Sequence, residues 1–269
     1  MRVQVGATTY EGAVVDLRGR RVSGAAVAAS VRGERCLPVV ACASPTAVYE
    51  YAGRVHPTMG LRTRTALAAA ARTRGEETPH DAEIAARCEE LAEFDPSPPD
   101  LVEAADPVPD AEIADLRETV ASHRGRITAR RAVGEDADDA RADLRDAATA
   151  LSERETRRAA ARETRELRRE AARAHRDRLE RRRQVADALA NARRAARATL
   201  VDRFTDEFAA AVAAVPGPTP DDPFDASPVT AALAVLRIAE TPAPVVLEVD
   251  RFSSPTAASE ALDAPVVRC

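Results

Sequence analysis

Lysine is absent from this chain of 269 residues, so all 39 of its basic side chains are arginine. The chain therefore has no P-loop lysine for nucleotide phosphates, no side-chain amine for a Schiff base and no lysine general base. Tryptophan is also absent, and aromatic residues make up only 3% of the chain. These absences exclude several classes of catalytic site and leave few side chains on which nucleic-acid bases can stack.

Long apolar runs and cysteine motifs are missing as well. No stretch of the chain approaches the ~18 uninterrupted apolar residues of a membrane-spanning helix, and the first residues lack the apolar core of a signal peptide. The four cysteines, Cys36, Cys42, Cys88 and Cys269, form no Cys-x-x-Cys motif. We therefore predict reduced thiols, a cytoplasmic location and no membrane contact.

Alanine, in contrast, supplies about a fifth of the residues and favours close packing between helices. Charge is unevenly distributed along the chain. Between Arg154 and Arg197 there are 16 arginines and seven acidic residues, which give this segment a net charge of +9. Because the whole chain has a net charge of −5, the remainder carries −14. This split predicts a basic helical segment attached to an acidic body.

The N-terminal part has the pattern of short strands and turns. The apolar runs at residues 13–17, 25–31 and 37–42 lie between glycines or prolines, and residues 49–55 alternate in polarity. We predict a small sheet from these runs.

Two helices are predicted next. The first covers residues 61–72 and ends near Gly75, and the second begins at a cap formed by Thr78, with Asp81 three residues later.

A helical hairpin is predicted over residues 110–214. In its first helix, residues 110–133, side chains suited to a coiled-coil seam recur in steps of three and four. These side chains are Ile113, Leu116, Val120, His123 and Ile127. The second helix, residues 138–215, has a poor seam, because Arg158 and Arg165 occupy two of its heptad positions. Its later leucines recur about every eleven residues instead.

The C-terminal segment, residues 229–269, has the pattern helix, strand, helix, strand. Its two apolar strands, at residues 245–249 and 265–268, both begin at an Ala-Pro-Val-Val sequence. Continuously apolar strands joined by a helix predict a parallel, buried pair. A segment this short is too small to fold alone, so we predict that it completes the N-terminal sheet.

The predicted fold class is therefore α+β, a small mixed α/β body assembled from both chain termini, with an inserted long antiparallel helical (coiled-coil) hairpin. The predicted parts are the N-terminal part of the body (1–95), a Pro-rich linker (96–109), the hairpin (110–214), a second Pro-rich linker (215–228) and the C-terminal part of the body (229–269).

Two stretches carry resemblances to known families. Residues 59–75, MGLRTRTALAAAARTRG, together with the Ala-Pro-Val-Val tail, resemble an uncharacterised family of coiled-coil proteins from halophilic archaea. That resemblance implies no activity.

The order of lobe, coiled coil and strand–helix–strand lobe also resembles the chromosome-maintenance and repair ATPases. In that family a strand ends in paired acids, one that holds magnesium and one that orients water. Here Glu248 and Asp250 are not adjacent, and the segment from Gly6 to Gly12 is not a P-loop. The resemblance thus implies a degenerate relative, while Glu248 and Asp250 can equally be residues that merely end a strand.

No catalytic, cofactor-binding or metal-binding residue is predicted. The spacing of Cys36, Cys42, His56 and His80 matches no zinc-ligand pattern. The coil instead offers candidate contacts for nucleic acid or for an acidic partner. These candidates are Arg165, Arg168, Arg169, Arg181, Arg182 and Arg183.

A candidate anion site is formed by Arg62 and Arg64 at a helix start, with Thr58 as a possible cap. The alternative, which we favour, is that both arginines pair with acidic residues of the body.

The sequence thus predicts a non-enzymatic interaction or scaffolding protein, without a cofactor, that binds a partner protein or a second copy through its coil. The alternative hypothesis is a DNA-associated relative of the repair and chromosome ATPases. Intrahelical pairs such as Arg162 with Glu166, and Glu166 with Arg169, are expected to neutralise part of the coil and weaken its DNA contacts.

Overall fold

The computed structural model describes residues 1–34, 37–95, 97–99, 103 and 106–269. The strands are β1 (Arg2–Val5), β2 (Thr8–Glu11), β3 (Val14–Asp16), β4 (Val39–Ala41), β5 (Arg54–Val55), β6 (Val245–Leu247) and β7 (Val266–Arg268). The helices are α1 (Gly24–Val31), α2 (Tyr49–Ala52), α3 (Thr63–Thr73), α4 (Asp81–Ala92), α5 (Asp110–Ala132), α6 (Asp138–Ala214), α7 (Pro228–Ile238) and α8 (Pro255–Leu262). The predicted mixed α/β class with a long helix inserted between the two chain ends is confirmed, and α6 is 77 residues long.

The central sheet is parallel and has the strand order β3-β7-β6-β5. Its residues alternate between two cores: Val245, Leu247 and Val266 pack on one face, and Val246 and Val267 pack on the other. Each of these five residues is at most 1% exposed. Both faces are covered, as parallel sheets require. The predicted buried parallel pair is confirmed, and so is its role in completing the N-terminal sheet.

The helices that connect the parallel strands lie on different faces of the sheet, according to the direction in which the chain crosses it. The chain crosses from β3 at one edge to β5 at the other by way of α1, which packs in the same core as Val246 and Val267. It then steps back through β6 and β7 by way of α8, which packs in the opposite core. A reversal of direction together with a change of face is what the right-handed crossover rule demands.

A second, antiparallel sheet has the order β2-β1-β4 and pairs Val3 with both Tyr10 and Val40. The edge strand β4 is only three residues long. Its Val40 N–H donates to the buried hydroxyl of Ser30 on α1 at 2.9 Å. This contact fastens the edge of the sheet to the helix beside it.

Two segments that the sequence predicted as strands are helical. The run at 25–31 lies in α1, because Ser23 caps the helix by accepting a hydrogen bond from Ala26 N, and because alanine favours helix. Residues 49–52 form α2, and only Arg54 and Val55 of the predicted 49–55 strand are extended. The predicted cap at Thr78 is displaced, since α4 begins at Asp81.

The larger core lies on the other face of the parallel sheet and is built around α7. Nine of the eleven residues of α7 are buried, so this helix is apolar on nearly all sides, as a central helix must be. The end of α6 packs in the same core through Leu200, Phe204, Phe208 and Val212, which are at most 4% exposed. The firm packing predicted for these residues from their four-residue spacing is confirmed.

Contacts divide the chain into two compact units. The first, the terminal unit, consists of Met1–Glu89 and Asp187–Cys269, and the second, the hairpin unit, consists of Glu90–Ala186. The domain boundaries predicted from the sequence stay a prediction, and the linker predicted at 96–109 lies partly outside the described residues.

In the hairpin unit, α5 runs antiparallel to α6. Glu112 pairs with Arg154 at 2.8 Å and Arg117 pairs with Glu155 at 2.6 Å, while Ile113 is buried between the helices. Nearer the turn, the imidazole of His123 lies 3.7 Å from the carboxylate of Asp143. These pairs fix the register, so that positions earlier on α5 face positions later on α6.

Of the α6 leucines predicted to recur about every eleven residues, Leu179 is half-buried, and Leu189 and Leu200 are buried. Buried or half-buried positions recur in steps of three or four, and they include Ala140, Leu144, Ala147, Leu151, Arg154, Arg158, Ala161, Thr164, Arg168, Ala171, His175 and Leu179. Leu167 lies outside the seam and is 52% exposed. Arginine stems and alanines take the inward positions, because an arginine can bury its aliphatic part and keep its charge in water.

The α3–α4 corner is held by one carboxylate. Asp81 accepts two hydrogen bonds from Arg72, at 2.5 and 2.7 Å, and two more from the N–H and hydroxyl of Thr78. The hydrogen bonds from Arg72, followed by those from Thr78, hold the pKa of the Asp81 carboxyl well below its usual range. The backbone N–H of Thr78 thus bonds to the carboxylate of the residue three positions later, as in a capping box, although α4 begins at Asp81.

We expect Asp81→Asn to be less stable than the wild type at neutral pH, by about 1 kcal/mol for a partly exposed pair. A carboxyl whose pKa falls on folding stabilises the protein above its unfolded pKa of about 3.9, and this stabilisation is lost as the pH falls below that value. The difference in free energy of unfolding should therefore be constant near neutrality and shrink below about pH 4. Urea unfolding over a pH series measures it, with Asp202→Asn on the exposed side of α6 as the control. A difference that does not change with pH would contradict this account.

Candidate functional site

Five arginines of α6 form what we call the basic face: Arg162, Arg165, Arg169, Arg173 and Arg176. All five are exposed. At about 100° and 1.5 Å per residue, they lie within an arc of about 80° and along about 21 Å of the helix. The face is therefore a narrow line of guanidinium groups on a helical support.

The basic face begins at the point on α6 beyond which α5 no longer pairs with its arginines. Arg154 pairs with Glu112 and Arg158 pairs with Asp110, which is the first residue of α5. Beyond that point α5 supplies no further carboxylate. Within the described ranges, none of the five arginines of the basic face forms an ion pair or a hydrogen bond. Their charge is therefore available to a partner.

The acidic residues of the same segment lie to one side. Glu163, Glu166 and Glu170 are exposed and lie about 60–120° around the helix from the centre of the basic face. The expected pairs of Glu166 with Arg162 and with Arg169 do not form among the described residues, so that prediction was wrong. The long arginine side chains extend into water, where an exposed pair gains little.

The six arginines predicted as contacts do not form one surface. Arg165 and Arg169 belong to the basic face, whereas Arg168 is half-buried at the seam. Arg181 pairs with Glu90 at 2.7 Å, and Arg183 lies 3.8 Å from Glu180.

Arg182 is exposed, but three consecutive residues point in three directions around a helix. The predicted set omitted Arg162, Arg173 and Arg176, although successive arginines of the face are three or four residues apart, a spacing that identifies it.

One end of the basic face borders a groove of about 190 Å³. Arg162 and Arg165 line it together with Pro107, Val108 and the paired Asp110. An acidic group bound there would meet two unpaired guanidinium groups, each with several N–H donors.

The carboxyl edge of the parallel sheet is the place where open α/β sheets usually bind ligands. Here it is filled by ion pairs. Arg54 donates to both oxygens of Glu248, at 2.6 and 3.3 Å, and the buried Arg268 pairs with Asp250. Gly24, at the start of α1, is so close to Glu248 that a Cβ on it would lie 1.9 Å from Oε1. Both acids of the ATPase-like tail are thus engaged by arginines.

Two further groups at this edge have shifted pKa values. The side-chain hydrogen bond from Arg18 lowers the pKa of Asp16, which also accepts the Arg18 N–H at 3.0 Å. Burial, with the nearby Glu248 carboxylate, raises the pKa of the Cys269 thiol to about 11. This thiol is therefore protonated and a poor nucleophile at neutral pH.

Arg62 and Arg64, the predicted anion site, lie at the first residues of α3 beside a groove of about 310 Å³. The guanidinium of Arg64 stacks over the ring of Phe224 at 4.0 Å, and Phe224 itself packs on Phe208. The favoured pairing with acidic residues is not seen for either arginine among the described residues. Thr58 does not cap α3, because its hydroxyl contacts His56 Nδ1 at 3.2 Å.

Cys42, Cys88 and Cys269 are free thiols, and Cys36 lies outside the described residues. In the part of the chain that the structure describes, no three or more His, Cys, Asp or Glu side chains are arranged to hold a metal ion. In the same part of the chain, no helix has both the length and the apolar character needed to cross a bilayer.

Comparison with known proteins identifies a family. The chain matches the model of a family of unknown function, DUF7856, over residues 12–266. Since that match covers most of the chain, the chain belongs to this family. No curated protein and no solved structure matches it. The prediction of an uncharacterised family is confirmed. The family match bears neither on a halophilic source nor on a relation to the ATPases.

The contact between Gly24 and Glu248 yields a test of the filled carboxyl edge. We expect Gly24→Ala to cost about 1–3 kcal/mol of stability, because the new methyl group overpacks against a carboxylate that Arg54 holds in place. In a Glu248→Ala background the same change should be neutral or stabilising by up to about 1 kcal/mol, since alanine is the better helix residue. Urea unfolding of the four proteins of this cycle measures the difference. Equal costs in both backgrounds would show that the two residues do not press on each other.

Proposed function

We propose that this member of the DUF7856 family is a non-enzymatic interaction protein that binds an acidic partner protein through the basic face of α6. The observation that supports this is the contrast along one helix. Arg154 and Arg158 are neutralised by α5, whereas the five arginines of the basic face are exposed and unpaired within the described ranges. The acidic partner can be another protein or an acidic segment of a second copy.

Arginine suits this role for physical reasons. Its planar guanidinium binds a carboxylate through two parallel hydrogen bonds, and it sheds water more readily than an ammonium group does. A line of like charges on one helix also steers an oppositely charged partner during encounter. Such steering weakens as salt shortens the Debye length, from about 10 Å at 0.1 M to about 3 Å at 1 M.

A second candidate is a DNA-associated protein, and one observation favours it. The basic face contains arginines but no exposed large apolar side chain, and Leu167, the exposed leucine of this segment, lies elsewhere on the helix. A protein interface usually needs apolar or aromatic anchors at its centre, whereas phosphate binding needs only the charges. Since aromatic residues are scarce, duplex DNA suits the face better than single strands, which bind by stacking.

The test compares two triple variants with equal loss of charge. The first changes Arg165, Arg169 and Arg173 to glutamine on the basic face. The second changes Arg157, Arg178 and Arg182, which are exposed on other sides of the same helix. Tagged full-length chains are used to isolate partners from the native host at its own intracellular salt. Mass spectrometry identifies what is retained, and the same proteins are titrated with a 20-base-pair duplex.

We expect a stoichiometric acidic protein to be retained by the wild type and by the second variant, and to be lost with the first. If both variants lose it equally, total charge rather than the face is responsible, and the proposal fails. For DNA, each lost phosphate contact reduces the slope of log K against log salt by about 0.9, so the first variant should lower the slope by about 3. That result without a protein partner would favour the second candidate.

A further inference from the structure

A groove of about 280 Å³ lies in the terminal unit among α2, α3, α4 and the end of α6. Its floor is apolar and is made by Tyr51, Ala69, Ile84 and Leu200. Leu200 is 2% exposed, and the other three side chains are half-buried. The groove therefore exposes apolar surface to water, and the side chains that form this surface are held in place by the core beneath them.

The rim of this groove is formed by three arginines with different environments. Arg72 is neutralised by Asp81, as described above, and acts as a fixed wall. Arg193 makes only a weak contact, 3.6 Å from Nη2 to the sulfur of Cys88. Arg197 is exposed and has no carboxylate partner in the described part of the chain.

Arg193 and Arg197 are four residues apart on α6, so their side chains lie next to each other on one face of the helix. Two like charges at this spacing destabilise a helix slightly. A carboxylate placed between them would remove that repulsion and receive charge-assisted hydrogen bonds from both. The apolar floor and the cationic rim thus favour the same kind of occupant.

We propose that this groove, which we call the rimmed groove, binds an acidic amphipathic peptide segment of a partner protein. One large apolar side chain of the peptide lies on the floor against Tyr51 and Ile84. An Asp or Glu within one turn of it is held between Arg193 and Arg197. The peptide is the form of ligand that helix-lined grooves commonly take.

The open shape of the groove argues for a side chain rather than a whole small molecule. Small-molecule pockets usually enclose about 300–1,000 Å³ and bury most of the ligand, whereas this groove is open along its length. A peptide can place one side chain in the groove and keep its remaining atoms outside, so it needs neither a larger volume nor an enclosed pocket. We expect a dissociation constant on the order of 10 μM, since little area is buried.

This inference does not depend on the basic face. The rimmed groove belongs to the terminal unit, and the basic face belongs to the hairpin unit. A protein without the function proposed above can still bind a peptide in the groove, and the reverse also holds.

The test is selection from a displayed library of random 12-residue peptides on the full-length chain. Selected peptides are synthesised with a fluorescent label, and their affinity is measured by anisotropy. Ala69→Leu fills the floor, and Arg197→Gln removes one rim charge without touching buried residues. Arg194→Gln is the matched control, because Arg194 is exposed next to the groove but bonds to Asn191 at 2.9 Å.

We expect selected peptides that pair Leu, Ile or Phe with Asp or Glu within four residues. Ala69→Leu should weaken them about tenfold or more, and Arg197→Gln about three- to tenfold, as for loss of a partly buried charge pair. Arg194→Gln and the triple variant of the basic face should leave the affinity unchanged.

Three results would overturn the proposal. These are a library that yields no such sequences, selected peptides that bind both groove variants with wild-type affinity, and labelled decanoate that binds the wild type but not Ala69→Leu when the library yields no peptide. The last result would assign the groove to a fatty acid.

Discussion

The parallel sheet requires segments from the two ends of the chain to meet. β3 and β5, both from the N-terminal part, are its two edge strands and never touch each other. The strands between them come from the last residues, and the Val246 N–H bonds to Gly53 O while the Val266 N–H bonds to Ala13 O. Until β6 and β7 are present, neither edge strand has a partner in this sheet. Contacts so distant in sequence are slow to form, and the whole terminal unit depends on them.

This arrangement also explains why a long hairpin can be inserted in the body. The entropy of closing a loop grows only slowly with its length, so the residues between β5 and β6 add little cost beyond the first closure. The end of α6 nevertheless takes part in the core through Phe204 and Phe208. The last turns of α6 are therefore held in the core of the terminal unit. The residues of the hairpin unit serve a different purpose, which is to form the contacts and ion pairs between α5 and α6.

The basic face is the result of a mismatch in length between α5 and α6. α5 begins at Asp110, which pairs with Arg158, and so its acidic first turn neutralises the arginines of α6 only up to that residue. A first helix longer at its N-terminal end would have brought carboxylates toward Arg162 and Arg165. Charge composition along the chain shows that the coil is basic, but only the register of the two helices shows where the unpaired charge lies.

The sequence predicted the elements whose residues have one clear pattern. The bounds of α5 and α6 differ from the predicted 110–133 and 138–215 by at most one residue, because Pro109 and Gly134 at the ends of α5, and Pro216 after α6, mark where a helix stops. The pattern failed at α1, where a short run of alanine and valine has no periodicity and the signal was the serine before it.

The sequence was least informative in the seam of α6. Leu144, Leu151 and Leu179 lie inward there, but Leu167 is exposed. Alanines and the stems of Arg154, Arg158 and Arg168 hold the remaining inward positions, and an arginine is not recognised as inward by hydrophobicity alone. The candidate surfaces could not be predicted, because they depend on which arginines form ion pairs. Those pairs depend on distances between segments that are far apart in sequence.

The contact of Ser30 with the edge strand β4 has a consequence for the protein at high concentration. An edge strand offers unpaired N–H groups to any extended chain that drifts past, and this is how folded proteins begin to aggregate through their sheets. The Val40 N–H is already taken by a hydroxyl from the neighbouring helix. An incoming strand would find the central N–H group of this three-residue strand already bonded, so the β4 edge of the smaller sheet is a poor template for fibre growth.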